Sequence, residues 1–281
     1  MTNPISDPLV ENVISEDVTA APVALAATLD GVATVTINRP HRRNAFDGPT
    51  ITALTEIFET LQGAEGVRIV FLRGEGGHFS AGADLDWMRM AADWSLDDNR
   101  QDAMAVALML KALHDIPALT VALVEGAAYG GGAGLVAACD MAIATADASF
   151  AFSEVKLGVI PATISPYVIG AIGPRAATAL FATGRRFDAA HALSIGLVQG
   201  VVADGAAFET TRAMLTAEVK TSAPGAVAEA KQLVRDVANQ PITHGLMEDT
   251  AKRLARIRMG EEGREGLAAF LGKRKPAWSA Q

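Results

Sequence analysis

The run Val124 to Leu135, VEGAAYGGGAGL, places five glycines within nine residues. Glycine loses more backbone freedom on folding than any other residue, so such a run needs a purpose that bare backbone serves. Three purposes fit. Gly132-Ala133-Gly134-Leu135-Val136-Ala137 matches the G-x-G-x-x-A pattern of a dinucleotide-binding turn, with Glu154 about twenty residues on. However, Glu125 to Gly130 separate the preceding strand from these glycines, and no second mononucleotide half follows. The second purpose is an oxyanion site. The first turn of a helix carries unpaired N–H groups, its dipole favours negative charge, and glycine lets a substrate come close. The third is tight packing of helix on strand. A second loop, GEGGHFSAGADLDWM (74–88), also runs from a strand through glycines into a segment that Asp84 can cap as a helix. Two such loops can each supply one N–H. A pair of backbone donors on one oxygen stabilises an enolate or a tetrahedral oxyanion, and losing one typically costs ~10²–10³ in rate.

These loops need strands and helices to hold them, and the hydrophobic pattern provides both. VATVTIN (32–38) and RIVFLRG (68–74) read as strands, separated by a helix, ITALTEIFETLQ, that Pro49 can start. The apolar stretch Val23 to Ile37 is broken by Asp30-Gly31, a hairpin signal, and is therefore two strands and not a membrane span. Leu96 to His114 reads as a helix that Pro117 stops before the buried-looking strand LTVALVE. MAIAT and SFAF read as strands, and from Pro174 onward helical patterns dominate. The class is α/β for about two hundred residues, followed by a helical C-terminal portion.

With 281 residues, half of them apolar, the chain can bury one large core. A net charge of -8 opposes nucleic-acid binding, and an anionic ligand would need a local basic cluster. Two clusters stand out, Arg39, Arg42 and Arg43, and Lys273, Arg274 and Lys275; each can equally be a solvated charge run. The single cysteine, Cys139, excludes an intrachain disulfide and fits a reducing compartment. The five histidines show no ligand spacing, so no metal is expected. The acidic, proline-broken start lacks the pattern of a secretory signal or transit peptide and reads as a flexible tail, residues 1–20, of a cytoplasmic protein.

The stretches NRPHRRNAF (38–46), FSAGADL (79–85), EGAAYGGGAGLVAACDMAIA (125–144), SFAFSEVKLGVIPA (149–162) and AFLGKRKPAW (269–278) together resemble the enoyl-CoA hydratase/isomerase family, the crotonases. The segment SEVKLGVIPATISPYVIGAIGPRAA is most similar to the 3-methylglutaconyl-CoA hydratases. The resemblance implies a crotonase-like spiral of ββα units over 21–204, carrying the coenzyme A and active sites. It also implies a helical trimerisation region over 205–281, and a homotrimer or a hexamer built from two trimers. No cofactor would be bound permanently; coenzyme A would arrive as part of an acyl-CoA substrate.

The resemblance also implies roles. Ala83 and Gly131 would be the oxyanion donors, and Glu154 the acid/base. Flanked by Phe150, Phe152, Val155 and Leu157, Glu154 should be partly desolvated, which raises a carboxyl pKa toward a useful range; an exposed carboxylate at a strand end is the alternative. In the two-acid hydratases of this family a second glutamate stands where this chain has Gly134. One carboxylate can still hydrate a 2,3 double bond, or shift a Δ3 double bond to Δ2, and an acyl-CoA-binding homologue without turnover is a further alternative. The backbone of 81–85, with Ala81, Asp84 and Leu85, would line the adenine pocket. Arg39 and Arg42 would lie near the pantetheine and phosphates, and Phe270 and Lys273 would reach a coenzyme A at a neighbouring site. Trp87, Met88, Met90 and Trp94 can wall the acyl pocket or be ordinary core. Arg89, Lys156 or Arg175 can meet a distal substrate carboxylate. Asp140 reads as a partner to backbone at a helix end.

Overall fold

A hairpin opens the described chain. Strand β1, Val23–Ala27, runs antiparallel to β2, Val32–Ile37, and Gly31 turns between them with φ +84°. A side chain at Gly31 would meet the Gly66 carbonyl, so glycine is needed there for both conformation and space. The structure is a computed structural model and describes residues 21–280; the tail expected over 1–20 lies outside the described residues. Helix α1, Gly48–Gly63, follows, with Pro49 in its first turn and Asp47 accepting from Thr50 N at 3.0 Å. Strand β3, Ile69–Gly74, lies parallel to β2. Two helices come next: α2, Leu85–Ala91, and α3, Leu96–His114, the latter started by a Ser95/Asp98 capping box.

The chain then advances in repeated units of two strands and a helix. Strand β4, Leu119–Val124, joins the large sheet, β5, Ala127–Tyr129, joins a small one, and α4, Gly131–Ala138, closes the unit. Strands β6, Met141–Thr145, and β7, Ser149–Ala151, repeat the step, followed by the 3₁₀ turn Glu154–Leu157 and α5, Ser165–Thr183. Strand β8, Arg186–Asp188, α6, Ala189–Ser194, and β9, Gly200–Val202, complete the sheets. The large sheet has the order β1-β2-β3-β4-β6-β9, parallel after the first hairpin, and the small sheet the order β5-β7-β8.

Strand β3 shows why its sequence is continuously apolar. Val70 and Leu72 join the main core beneath α1 and α3, whereas Ile69 and Phe71 face the opposite way with Val121, Leu123 and Ile143. Both faces of a parallel strand are covered, so neither can be polar. Phe208, Leu215 and Val219 of α7, Phe208–Lys220, cover that second face. Burial against the core sheet therefore continues past residue 204. Helices α8, Pro224–Val237, α9, His244–Met259, and α10, Glu261–Leu271, follow.

Three elements differ from the helical pattern expected beyond Pro174. Helix α5 begins nine residues earlier, at Ser165, and passes through Gly173 (φ 74°, ψ 161°) and Pro174 as a kink and not as an end. Strands β8 and β9 fall among helical patterns: Arg186–Asp188 is held extended by pairing with β7, while Val201 and Val202 suit the strand that pairs with β6.

Candidate active site

Glu154 begins the 3₁₀ turn three residues after β7. Strand β7 pairs with β5, and Gly130 donates to Ala151 O at 2.9 Å, so the small sheet sets the carboxylate beside the glycine run. Gly130 has φ +49°, and a Cβ there would lie 3.2 Å from Glu154 Oε1. A side chain at 130 would crowd the carboxylate. Among the described residues, Glu154 Oε2 is the one buried side-chain nitrogen or oxygen without a hydrogen-bond partner. Burial pushes its carboxyl above the usual glutamate range, beside Phe150 and Phe152, which are fully buried. An unpartnered buried carboxylate is costly as a structural feature and useful as a proton carrier.

The second glycine loop comes from the other side. Residues 78–84 are pinned to 39–47 and to β5: Phe46 N donates to Gly82 O and Asp84 N to Phe46 O, both at 2.7 Å, while Tyr129 N donates to Ser80 O at 2.9 Å. A trans peptide points its C=O and N–H in opposite directions, so fixing the Gly82 carbonyl on Phe46 turns the Ala83 N–H the other way. Gly130 O accepts from Gly134 N at 3.0 Å inside α4, which leaves the Gly131 N–H at the open end of that helix. Among the described residues neither N–H meets an acceptor. The loops converge at Gly82: a Cβ there would lie 2.7 Å from Tyr129 O and 3.6 Å from Gly131 N. Two free donors and a buried, unpartnered carboxyl thus share one corner of the fold.

The remaining glycines serve packing. A Cβ on Gly132 would meet Ser80 O at 2.6 Å, and one on Gly134 would meet Ile164 Cγ2 at 2.2 Å. Ile164 is buried, so it fills the space into which a residue at 134 would project. This close fit, with a sheet order unlike the doubly wound one, answers the dinucleotide pattern: its glycines pack on protein.

The basic cluster is distributed. Arg39 pairs with Asp47 at 2.7 Å and Asp84 at 3.1 Å, and donates to Ala45 O. Arg42 pairs with Asp86 at 2.9 Å and is half-exposed. Ala81 N donates to Arg43 O at 2.9 Å. Asp84 is buried and caps α2 by accepting from Asp86 N and Trp87 N, while Leu85 is exposed. Burial alone would raise the Asp84 pKa, but those N–H groups and the Arg39 and Arg42 charges outweigh it and hold the carboxyl below its usual range. Residues 39, 42 and 81–85 therefore form one neighbourhood. Phe270 and Lys273 stand apart, exposed at the end of α10, and no hydrogen bond or ion pair among the described residues links them to it.

The α2 segment is anchored: Trp87 Nε1 donates to Asp102 at 3.0 Å, and its ring packs edge to face with Trp94. Arg89 is exposed and paired with Asp86, Arg175 is exposed on α5, and Lys156 shares the turn of Glu154. Asp140 accepts from Thr120 N and Oγ1, both at 2.8 Å, and pairs with Lys231 at 2.6 Å, as a structural partner should. No helix among the described residues is long and apolar enough to cross a membrane, and no group of three His, Cys, Asp or Glu among them could hold a metal.

Sequence reasoning missed Asn44. It is fully buried at φ +56°, accepts from Arg39 N, and donates to Glu75 O and His78 O at 2.8 and 2.7 Å. Asparagine tolerates the left-handed region, the one local signal available. Ile164 carried no signal at all.

Residues 27–281 match the family described as Enoyl-CoA hydratase/isomerase. A Thermus thermophilus protein provisionally named an enoyl-CoA hydratase is 34% identical, over 87% of this chain and 96% of its own. A Legionella pneumophila crystal structure, provisionally described as an enoyl-CoA hydratase/isomerase (crotonase), superposes with a TM-score of 0.86 at 43% identity, covering 92% of this chain and all of that one. An enoyl-CoA hydratase from Shewanella pealeana superposes with a TM-score of 0.85 at 39% identity, covering 92% and 96%.

Proposed function

The chain belongs to the enoyl-CoA hydratase/isomerase family and has its crotonase fold, and on that premise we propose that it is an enoyl-CoA hydratase working with a single catalytic carboxylate. The observation that carries this reading is the unpartnered Oε2 of Glu154, held in a desolvated position against Gly130. In hydration, Glu154 takes a proton from water as the water oxygen adds to C3 of a 2-enoyl-CoA. The electron pair of the double bond moves onto the thioester oxygen as an enolate, which the N–H groups of Ala83 and Gly131 stabilise. Glu154 then returns the proton to C2, so one water is added and the carboxylate is regenerated.

The finer reading is an acyl group of the methylglutaconyl or a related branched kind. Its support is the sequence of 149–175 together with Gly134, where a second acid is absent and Ile164 occupies the room. Coenzyme A would lie along Arg42 and the backbone of 81–85, with Phe270 and Lys273 contributed to a nearby copy.

A 2-enoyl-CoA incubated with the enzyme in ¹⁸O-water should give 3-hydroxyacyl-CoA labelled at C3. Double-bond migration in a 3-enoyl-CoA without label would establish isomerase chemistry instead, and absence of either would leave an acyl-CoA binder. Comparing kcat/KM for crotonyl-CoA and methylglutaconyl-CoA then tests the acyl group, and a strong preference for crotonyl-CoA would overturn the finer reading while leaving hydration intact.

A further inference from the structure

We infer that Arg39 is a positioning residue for the Ala83 N–H, acting through Asp84; the inference rests on the oxyanion reading above. Its guanidinium ties the segment Ala45–Asp47 to Asp84, which lies almost forty residues further along the chain. Asp47 caps α1, Asp84 caps α2, and Ala45 O belongs to the segment that grips the oxyanion loop. The two capping carboxylates would face each other across the base of that loop if the cation were absent. Asp84 is 3% exposed, so water could not screen them well.

The donor itself sits between two pinned peptides. Its own peptide is held by Phe46 N to Gly82 O, the next by Asp84 N to Phe46 O, and Arg39 grips both strands of this ladder, at Ala45 O and at the Asp84 carboxylate. Ser80 Oγ donating to Asn44 O and Asn44 Nδ2 donating to His78 O close the other end. The Ala83 N–H is thus aimed by a rigid frame whose buried cation is Arg39. The same contacts mean that Arg39, 14% exposed at its side chain, is committed to two carboxylates and a carbonyl and is not a loose cation waiting for phosphate.

The two roles predict different kinetics. An oxyanion donor works mainly in the transition state, so tilting it lowers kcat; a phosphate contact is equal in ground and transition states, so losing it raises KM. A misplacement of about 1 Å can cost ~10²-fold.

The test uses Arg39→Lys, Asp84→Asn and the double variant with crotonyl-CoA. It adds the infrared carbonyl stretch of bound [1-¹³C]butyryl-CoA, a saturated thioester that cannot be hydrated. Asp84→Asn keeps an acceptor for the helix cap and sets an amide donor where the carboxylate oxygen met Arg39, so it breaks the pair even where Arg39→Lys folds poorly. Each single variant should lower kcat about ten- to a hundredfold with KM changed less than about threefold, below the ~10²–10³ for outright loss of a donor. The double variant should be no worse than the poorer single one. In each variant the bound carbonyl stretch should move back toward its value in water. A raised KM with kcat retained, additive losses, or a carbonyl stretch equal to wild type would overturn the inference. Absence of any carbonyl shift in the wild type would overturn the oxyanion reading itself, whatever the ion pair does.

Discussion

The proposed mechanism asks two things of Glu154, to be a base toward water and an acid toward C2, and its surroundings suit both. Burial beside Phe150 and Phe152 raises its pKa, and the free Oε2 leaves a lone pair for water. Glu154→Gln keeps the size and removes the base, so kcat should fall by ~10²–10⁴ in steady-state hydration, while acyl-CoA binding by calorimetry persists. A carboxyl with a raised folded pKa binds its proton more tightly folded than unfolded. Its contribution to stability is therefore complete below the ordinary glutamate value of ~4.3 and declines as pH rises through the folded pKa. Glu154→Gln lacks that decline. In thermal melts the variant should gain on wild type between acid and neutral pH, with the gain confined to the window above ~4.3. A difference that stays constant across pH would place the carboxylate in water. The apolar flanks of Glu154 are legible in SFAFSEVKLG; the approach of Gly130 to Oε1 is not, because it depends on β5 pairing with β7 across more than twenty residues of chain.

At the scale of elements, α4 is positioned by what its glycines lack. Gly132 and Gly134 let the helix settle on Ser80 and Ile164, which brings the Gly131 N–H up to the Gly82 turn. Gly134→Glu, which would supply the second acid seen in related hydratases, should overpack the site against Ile164 and destabilise the fold by ~1–3 kcal/mol or more. Adding Ile164→Ala should return part of that loss, a non-additivity readable in urea melts. Equal stability of Gly134→Glu and wild type would mean that α4 is free to shift. The element pattern is largely legible: the bounds of α3 match the stretch Leu96 to His114 with its stop before Pro117, and the hairpin follows from Asp30-Gly31. Strands β8 and β9 are not, since Arg186–Asp188 and Gly200–Val202 show little alternation and, unlike the aromatic run SFAF, lie among helical patterns. The Arg39 frame was legible only as a basic cluster; its pairing with Asp47 and Asp84 is a product of the fold.

At the scale of the molecule, exposed apolar side chains occur along the whole chain and are closely spaced after residue 230. Val234, Ile242, Met247, Leu254, Met259, Leu267, Phe270 and Leu271 are all exposed, with Phe270 and Leu271 near four-fifths. All but Ile242, in the link before α9, stand on helices α8 to α10; α8 is tied to the sheet region by Lys231, which donates to Ile116 O and Ala118 O, and these apolar side chains stay uncovered. The expected oligomer would cover these side chains, since closed symmetry on copies of the same chain supplies a partner surface without leaving a free edge. A trimer or hexamer should appear in sedimentation velocity at micromolar concentration. Leu254→Asp should drive it toward smaller species, because a charge in a buried interface must be desolvated without a partner. If Lys273 reaches a neighbour's coenzyme A, that dissociation should raise KM together with the change in mass. Lys273→Ala should raise KM alone, with the assembly intact and kcat nearly unchanged. A monomer at micromolar concentration with full activity would separate the chemistry of Glu154 from assembly and remove Lys273 from the cofactor.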